Sequence, residues 1–318
     1  MKLRCAILDD YQNVATKLAD WSVLSPDVEV AVFNKPLGDT GAAARALEGF
    51  AILCAMRERT PISRALIEKL PDLKLIVTTG MRNAAIDMPA AKERGIAICG
   101  TDSAGHPTAE LTFGLILDLA RKIGIEAARM KAGEAWQSTI GTDLFGKTLG
   151  ILGLGKLGAR VARIGQACGM EVIAWSQNLT PEKAREAGAT HVPKDELLRR
   201  ADFVTIHLVL SERTRGLIGA GELKLMKPSA YLINTSRGPI VDEKALAAAL
   251  KGGIIAGAGV DVFDVEPLPR DHPFRSLPTM TVTPHLGYVT QDNYRVFYGQ
   301  TVEDIRAWLD GKPVRVIG

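Results

Sequence analysis

The chain has 318 residues, of which 47% are hydrophobic and 24% charged, and a formal net charge of +3. That length accommodates two domains and that composition a sizeable core. So small a charge argues against nucleic acid or a membrane surface as partner. No apolar run approaches the roughly 18 residues of a membrane helix. The start, Met1–Asp10, reaches Asp9 and Asp10 too soon for a signal peptide. Cys5, Cys54, Cys99 and Cys168 form no C-x-x-C pair, and each falls in an apolar strand or helix. They read as buried free thiols of a cytoplasmic protein, with no metal or redox motif.

From the start, strand-like runs alternate with amphipathic stretches. Leu3–Leu8, Val28–Phe33, Ala51–Ala55, Leu73–Thr78 and Ile96–Cys99 read as strands. Val14–Trp21, Ala42–Leu47, Ile62–Leu70 and Pro89–Arg94 read as helices, with Pro61 at the start of the third. Such alternation argues parallel βαβ units. Two loops follow strand ends, where open α/β sheets bind ligands: Met56-Arg57-Glu58-Arg59-Thr60 and Thr78-Thr79-Gly80-Met81-Arg82-Asn83. A glycine with free backbone N–H groups beside arginines suits a small carboxylate. Equally, Arg57, Arg59 and Arg82 can be ordinary solvated loop charges.

Thr108–Lys131, entered through Pro107, carries Leu111, Leu115, Leu119 and Ile123 and reads as one long helix connecting two domains. The buried strand Thr148–Leu152 comes next, followed by Gly153, Gly155 and Gly158 in G-x-G-x-x-G spacing. Leu157, Val161 and Ile164 recur at helical spacing before a second strand, Glu171–Trp175. Strand, glycine turn, helix and strand are the context a dinucleotide fingerprint requires. Gly153 makes the tight turn, Gly155 lets the chain approach a pyrophosphate, and Gly158 lets helix and strand pack closely. The helix start offers its unpaired N–H groups to the phosphates. An Asp or Glu for the ribose usually ends the second strand. Here Ser176, Gln177 and Asn178 stand there, so NAD is expected and NADP is not excluded.

The remaining elements are helices in Thr180–Leu198 and Asp195–Arg200, a strand Phe203–Leu208, a helical turn Gly221–Met226 and a strand Ala230–Asn234. A helix Glu243–Lys251, strands Ile254–Val260 and Met280–Thr283, and a helix Asn293–Leu309 follow, and Gly311–Val316 closes the chain.

Hydride transfer to a ketone needs a proton donor, and histidine suits neutral pH. His191 and His272 lie in loop-like sequence, His207 inside a strand as a satisfied core residue, and His106 near the connector. His285 directly follows a strand and Pro284, and leads on position. A carboxylate partner is available in Asp261–Pro267, and Arg237 follows another strand as a cation for a substrate carboxylate.

The nucleotide motif Gly150–Gly158, then INTSRGPIVDE at Ile233–Glu243, GVDVFDVEPLP at Gly259–Pro269 and TPHLG at Thr283–Gly287 complete a pattern spanning essentially the whole chain. In this order they resemble the D-isomer-specific 2-hydroxyacid dehydrogenases. The resemblance implies an NAD(P)-dependent oxidoreductase interconverting a D-2-hydroxy acid, of phosphoglycerate, glycerate or glyoxylate type, with its 2-keto acid. It implies His285 as acid and base, Glu266 as its partner, and Arg237 on the substrate carboxylate. Cofactor contacts implied are Thr108, Lys156, Leu157, Leu208, Thr235, Asp261 and Gly287, with Ser176 in the place of the ribose-binding Asp. Substrate contacts implied are Gly80 and its neighbours, with Arg57, Met81 and Arg82 on the same loops. The expected architecture is α/β: a Rossmann dinucleotide-binding domain, 102–287, inserted into a flavodoxin-like substrate domain, 1–101 and 288–318. A homodimer is implied, and the regulatory C-terminal domain of the family's long members is not expected in a chain running to Gly318. The rivals are a nicotinamide-sensing corepressor-like protein and a formate or phosphite dehydrogenase of the same fold.

Overall fold

The computed structural model describes residues 2–134 and 136–317. It divides into two compact units, Met1–Ala104 with Thr290–Gly318, and Gly105–Val289. In the first, β1 (Leu3–Ile7), β2 (Val28–Val32), β3 (Ile52–Ala55), β4 (Leu75–Thr78) and β5 (Ala97–Gly100) pair in parallel in the order β2-β1-β3-β4-β5. That is the flavodoxin-like order, in which the direction of winding switches beside β1 and ligands meet the carboxyl ends of the strands there. The helices α1 (Ala15–Leu18), α2 (Thr40–Ala46), α3 (Arg64–Ile67) and α4 (Met88–Glu93) connect them. Asp39 and Asp87 start α2 and α4 by accepting the N–H groups of Ala42 and Ala90.

The helix expected over Ile62–Leu70 is a single turn, and Pro61 does not start it. Ile62 is instead bridged to Ile86, and Ser63 is the residue before the first helical one. Backbone pairing has won over helix propensity there. One face of the sheet buries Leu53, Ile76 and Ile98 against Leu66, Ile67, Ala90 and Ala91.

The second unit opens with α5 (Pro107–Arg121) and α6 (Ile123–Lys131). The single helix expected over Thr108–Lys131 is broken at Lys122, which adopts a left-handed φ of 57°. The break has a physical cause. Ala109, Phe113, Ile116 and Ala120 bury α5, α6 buries no residue, and Asp118 accepts the Gly124 N–H at 2.6 Å to cap the new start.

There follow β6 (Thr148–Leu152), α7 (Lys156–Ala167), β7 (Glu171–Trp175), α8 (Pro181–Glu186), β8 (Thr190–His191), α9 (Lys194–Arg200) and β9 (Phe203–Ile206). Then come α10 (Ala220–Leu225), β10 (Tyr231–Asn234), α11 (Glu243–Lys251), β11 (Gly257–Val260) and β12 (Met280–Val282). The seven strands run parallel in the order β12-β11-β10-β9-β6-β7-β8, the doubly wound dinucleotide order extended by one strand. Helices cover both faces, which is why the strands read as unbroken apolar runs. Phe113, Ile116, Val161 and Ala162 meet Leu149, Ile151 and Ile233 on one side; Leu197, Leu223 and Leu246 meet Val204, Leu232 and Ala258 on the other.

Two expectations from the sequence change here. His191, read as loop, is half-buried in the short edge strand β8. Cys168 is half-buried at the end of α7 rather than in the core, while Cys5, Cys54 and Cys99 are buried free thiols.

The last helix, α12 (Gln291–Leu309), returns to the first unit and packs on α1, β4 and β5 through Tyr294, Phe297, Tyr298, Val302 and Ile305. Beyond it, Val316 bridges Cys99, and Arg315 pairs at 2.9 Å with the buried Asp304, whose carboxyl is pushed up to about 7 by burial. No described helix is long and apolar enough to cross a membrane.

Candidate active site

The glycine turn has the geometry a phosphate cradle needs. Gly153 takes φ 104°, and a β-carbon there would stand 2.7 Å from the carbonyl oxygen of His207 at the end of β9. Gly155 precedes α7, and no atom comes within 4 Å of where its β-carbon would be. Gly155 and Lys156 are exposed, Leu157 is half-buried, and no side chain caps the helix start. Open backbone N–H groups at the positive end of a twelve-residue helix fit a dinucleotide pyrophosphate. Ser176 is half-buried at the end of β7, and no carboxylate stands between Trp175 and Pro181.

Three neighbouring strands, β10, β11 and β12, bring Arg237, Glu266 and His285 to the same carboxyl edge of the sheet. His285 Nδ1 lies 2.6 Å from Glu266 Oε2, with the two side chains 18% and 31% exposed. A carboxylate only accepts, so Nδ1 carries the proton and donates it, which fixes the ring. His285 Nε2 makes no hydrogen bond among the described residues. Tyr288 packs edge-on against the imidazole at 5.2 Å. The Phe263 N–H in turn donates to Glu266 Oε1 at 2.9 Å.

His285 has a left-handed φ of 54°, a conformation that needs outside support in a residue carrying a β-carbon. Asp261 supplies that support. Its carboxylate accepts from Thr283 Oγ1 at 2.6 Å, the Leu286 N–H at 2.7 Å and the Gly287 N–H at 2.8 Å. Burial raises the Asp261 pKa above the ordinary carboxylate value against these bonds. This holding role was not legible in sequence, since it depends on which backbone groups the carboxylate meets.

On β10 the Asn234 side chain shapes the Arg237 turn, donating to the Arg237 carbonyl at 2.9 Å and accepting the Ser236 N–H at 3.0 Å. Gly238 abuts the Phe263 backbone so closely that a β-carbon would collide with it, joining the Arg237 turn to the Glu266 segment. Ser236 Oγ donates to the Leu208 carbonyl. Thr235 meets Thr112 at 2.8 Å, and Thr108 donates to the Gly287 carbonyl at 2.8 Å. The structure thus gathers Thr108, Thr235, Asp261 and Gly287, and sequence reasoning missed Thr112.

His207 corrects another expectation. It lies just beyond β9, half-buried, and its two ring nitrogens are buried with no hydrogen-bond partner among the described residues, so it is not satisfied. Burial pushes its pKa down to about 4 and keeps it neutral.

In the first unit, Arg57 has a left-handed φ of 51° and is held by Thr79, which accepts the Arg57 N–H at 2.9 Å on its hydroxyl and Arg57 Nη1 at 3.1 Å on its carbonyl. Asn83 Nδ2 donates to the Arg57 carbonyl at 2.6 Å. The guanidinium lies across Gly80, where any β-carbon would strike it. Gly80 has φ 88°, but its N–H is not free as expected, because Thr101 Oγ1 accepts it at 3.0 Å. Among the described residues, the N–H groups of the exposed Met81 and Arg82 instead make no hydrogen bond. Arg59 is occupied: it donates to the Asp9 carbonyl at 2.8 Å and covers the Tyr11 ring at 4.5 Å. Among the described residues no cluster of His, Cys, Asp or Glu could hold a metal ion.

Residues 113–287 match the family profile for the D-isomer specific 2-hydroxyacid dehydrogenase, NAD binding domain. The chain belongs to the D-isomer specific 2-hydroxyacid dehydrogenase family. It is 37% identical over 296 residues to a glyoxylate reductase of Aeropyrum pernix, covering 90% of this chain and 88% of that one. It is 39% identical to a D-3-phosphoglycerate dehydrogenase of Methanocaldococcus jannaschii over 81% of this chain, but spans only 49% of that relative. A phosphoglycerate oxidoreductase from Vibrio cholerae superposes with a TM-score of 0.92 at 35% identity, covering 97% of this chain and 99% of that one. This family member is therefore an NAD-dependent oxidoreductase, and its relatives support the dehydrogenase reading over the sensor.

Proposed function

We propose that the protein reduces a small 2-keto acid to the D-2-hydroxy acid, and carries out the reverse oxidation, with His285, Glu266 and Arg237 as its catalytic residues. The observation that carries this is the 2.6 Å His285–Glu266 pair, formed beyond the ends of β12 and β11 beside the Arg237 turn that follows β10. A nicotinamide held there would supply or accept the hydride. His285 Nε2 delivers the proton to the carbonyl oxygen during reduction and takes it back during oxidation. Glu266 holds the ring and stabilises its charged form. Arg237 offers a two-pronged donor to the carboxylate.

Gly153, Gly155, Lys156, Leu157 and Gly158 would hold the pyrophosphate and Ser176 the ribose, with Thr108, Leu208, Thr235, Asp261 and Gly287 along the rest of the cofactor. In the first unit, Arg57, Gly80 and the free N–H groups at Met81 and Arg82 suit the substrate's anionic end. With Arg59 occupied by Asp9 and Tyr11, a glyoxylate or hydroxypyruvate type of substrate is favoured over a phosphorylated one.

The segment 123–145 exposes Ile123, Met130, Trp136, Ile140 and Phe145, the last three by 74%, 96% and 81%. So much exposed apolar surface supports a homodimer through this unit. A cytoplasmic location fits the free thiols.

The test is reduction of glyoxylate, hydroxypyruvate, pyruvate and 3-phosphohydroxypyruvate, each with NADH and NADPH, followed at the nicotinamide absorbance band. Turnover of glyoxylate or hydroxypyruvate is the expected result. Silence across the grid, with NADH still bound, would overturn the reading.

A further inference from the structure

A second imidazole–carboxylate pair stands in the same unit. His272 Nε2 lies 3.2 Å from Glu243 Oε2, with the side chains 18% and 15% exposed. The Phe274 N–H donates to His272 Nδ1 at 3.3 Å, so Nδ1 carries no proton and Nε2 donates to Glu243. The other oxygen of Glu243 accepts the Asp264 N–H at 2.9 Å. One carboxylate at the start of α11 therefore grips the segment after β11 at two places, Asp264 and His272.

Glu266 lies between those two points. The adjoining residue, Phe263, makes the 2.9 Å bond to Glu266 Oε1, and Glu266 Oε2 makes the 2.6 Å contact with His285. The far end of the segment is anchored as well. Phe274 is buried, the His272 ring stands edge-on to it at 4.7 Å, and Arg275 donates to the carbonyls of Leu268 and Pro269 at 2.7 and 2.8 Å. Glu266 itself sits on exposed chain between these anchors.

We propose that Glu243 and His272 are positioning residues that hold the segment carrying Glu266, so that its carboxylate stays on His285. The inference rests on the reading of His285 and Glu266 given above. Neither positioning residue is among those proposed to hold substrate or cofactor. Their effect passes through the Asp264 and His272 anchors to the geometry of Glu266. Among the described residues, Glu266, Asp261 and Tyr288 face His285, and Glu266 and Asp261 make no hydrogen bond to the side chain of Glu243 or His272. Asp242 and Arg215 also face the Asp264 anchor, but their side chains make no bond to it.

The experiment reads the His285 Nδ1 proton by NMR in the free protein. A short imidazole-to-carboxylate bond gives a downfield N–H resonance, assigned here by its loss in E266Q. E243A and H272F should lose or broaden this resonance, while H272Q, whose amide can replace the Nε2 donor, should keep it. Turnover should follow, with kcat about tenfold lower in E243A and H272F and the KM for NADH unchanged. Persistence of the resonance in both E243A and H272F would overturn the proposal. So would its loss only in step with the loss of folded protein by circular dichroism. The NMR readout needs no substrate, so the assignment of the reaction fails separately: a wild-type protein inert toward every 2-keto acid would sink that assignment and leave the positioning result standing.

Discussion

Gly158 packs against the carbonyl oxygen of Gly153 so tightly that a β-carbon at 158 would run into it. The first turn of α7 thus rests on the turn that leaves β6. The obstacle is backbone, which cannot swing aside as a side chain would. G158A should cost about 1–3 kcal/mol through overpacking. Both an NADH fluorescence titration and a thermal melt would register it. A variant that binds NADH with the wild-type Kd would remove Gly158 from the cradle.

Replacing Glu266 tests the orienting bond. E266Q keeps the size of the side chain but can present its NH2 group to the His285 ring. A fall in kcat of about 100-fold is expected, with NADH binding retained. An unchanged kcat would mean that the 2.6 Å contact is not used in turnover.

Gly80 makes room for a guanidinium as well as for its own left-handed φ. G80A should push Arg57 away and strain the loop by about 1 kcal/mol. The expected signature is a KM for the keto acid raised by about tenfold with the NADH Kd unchanged. Equal changes in both would point to a fold defect instead.

Ser176, proposed at the ribose, carries no negative charge. S176D should lower catalytic efficiency with NADPH relative to NADH, because a carboxylate repels the 2′-phosphate. If the ratio of the two efficiencies does not move, Ser176 is elsewhere than at the ribose.

The imidazole of His207, with both ring nitrogens buried, makes stability depend on pH. Its imidazole is held down to about 4 by burial, against an ordinary value near 6.5. Between those values the unfolded chain binds a proton that the folded chain refuses. The contribution to stability is therefore complete above about pH 6.5 and is lost as pH falls toward 4. Melting temperatures across that range should fall less steeply in H207F than in the wild type. Parallel curves would show that His207 is not the group responsible.

What the sequence disclosed was what depends on local spacing and on strand ends. The strand Glu171–Trp175 and the turn with Gly153, Gly155 and Gly158 are where they were expected, because buried strands and glycine spacing are local signals. Arg237, Glu266 and His285 were legible as residues after strands, but their adjacency required the order of β10, β11 and β12. The misreadings arose where a single side-chain contact or backbone bridge decided the outcome. Asp118 reaching Gly124 broke the long helix, Thr101 took the Gly80 N–H, and Ile86 drew Ile62 out of the turn before α3. None of these contacts has a periodicity, so none leaves a mark on the sequence.

The return of α12 to the first unit bears on how the chain is made. The sheet of β1 to β5 is synthesised before the second unit, yet the helix that covers its β4 and β5 side follows that unit in the chain. The second unit, 105–289, is complete before that helix emerges. Synthesis therefore favours a reversed order, in which the inserted unit matures while the strands ahead of it wait. During that interval the β4 and β5 side of the sheet lacks the cover that α12 later brings, so the nascent chain carries an unpartnered apolar face until that helix docks.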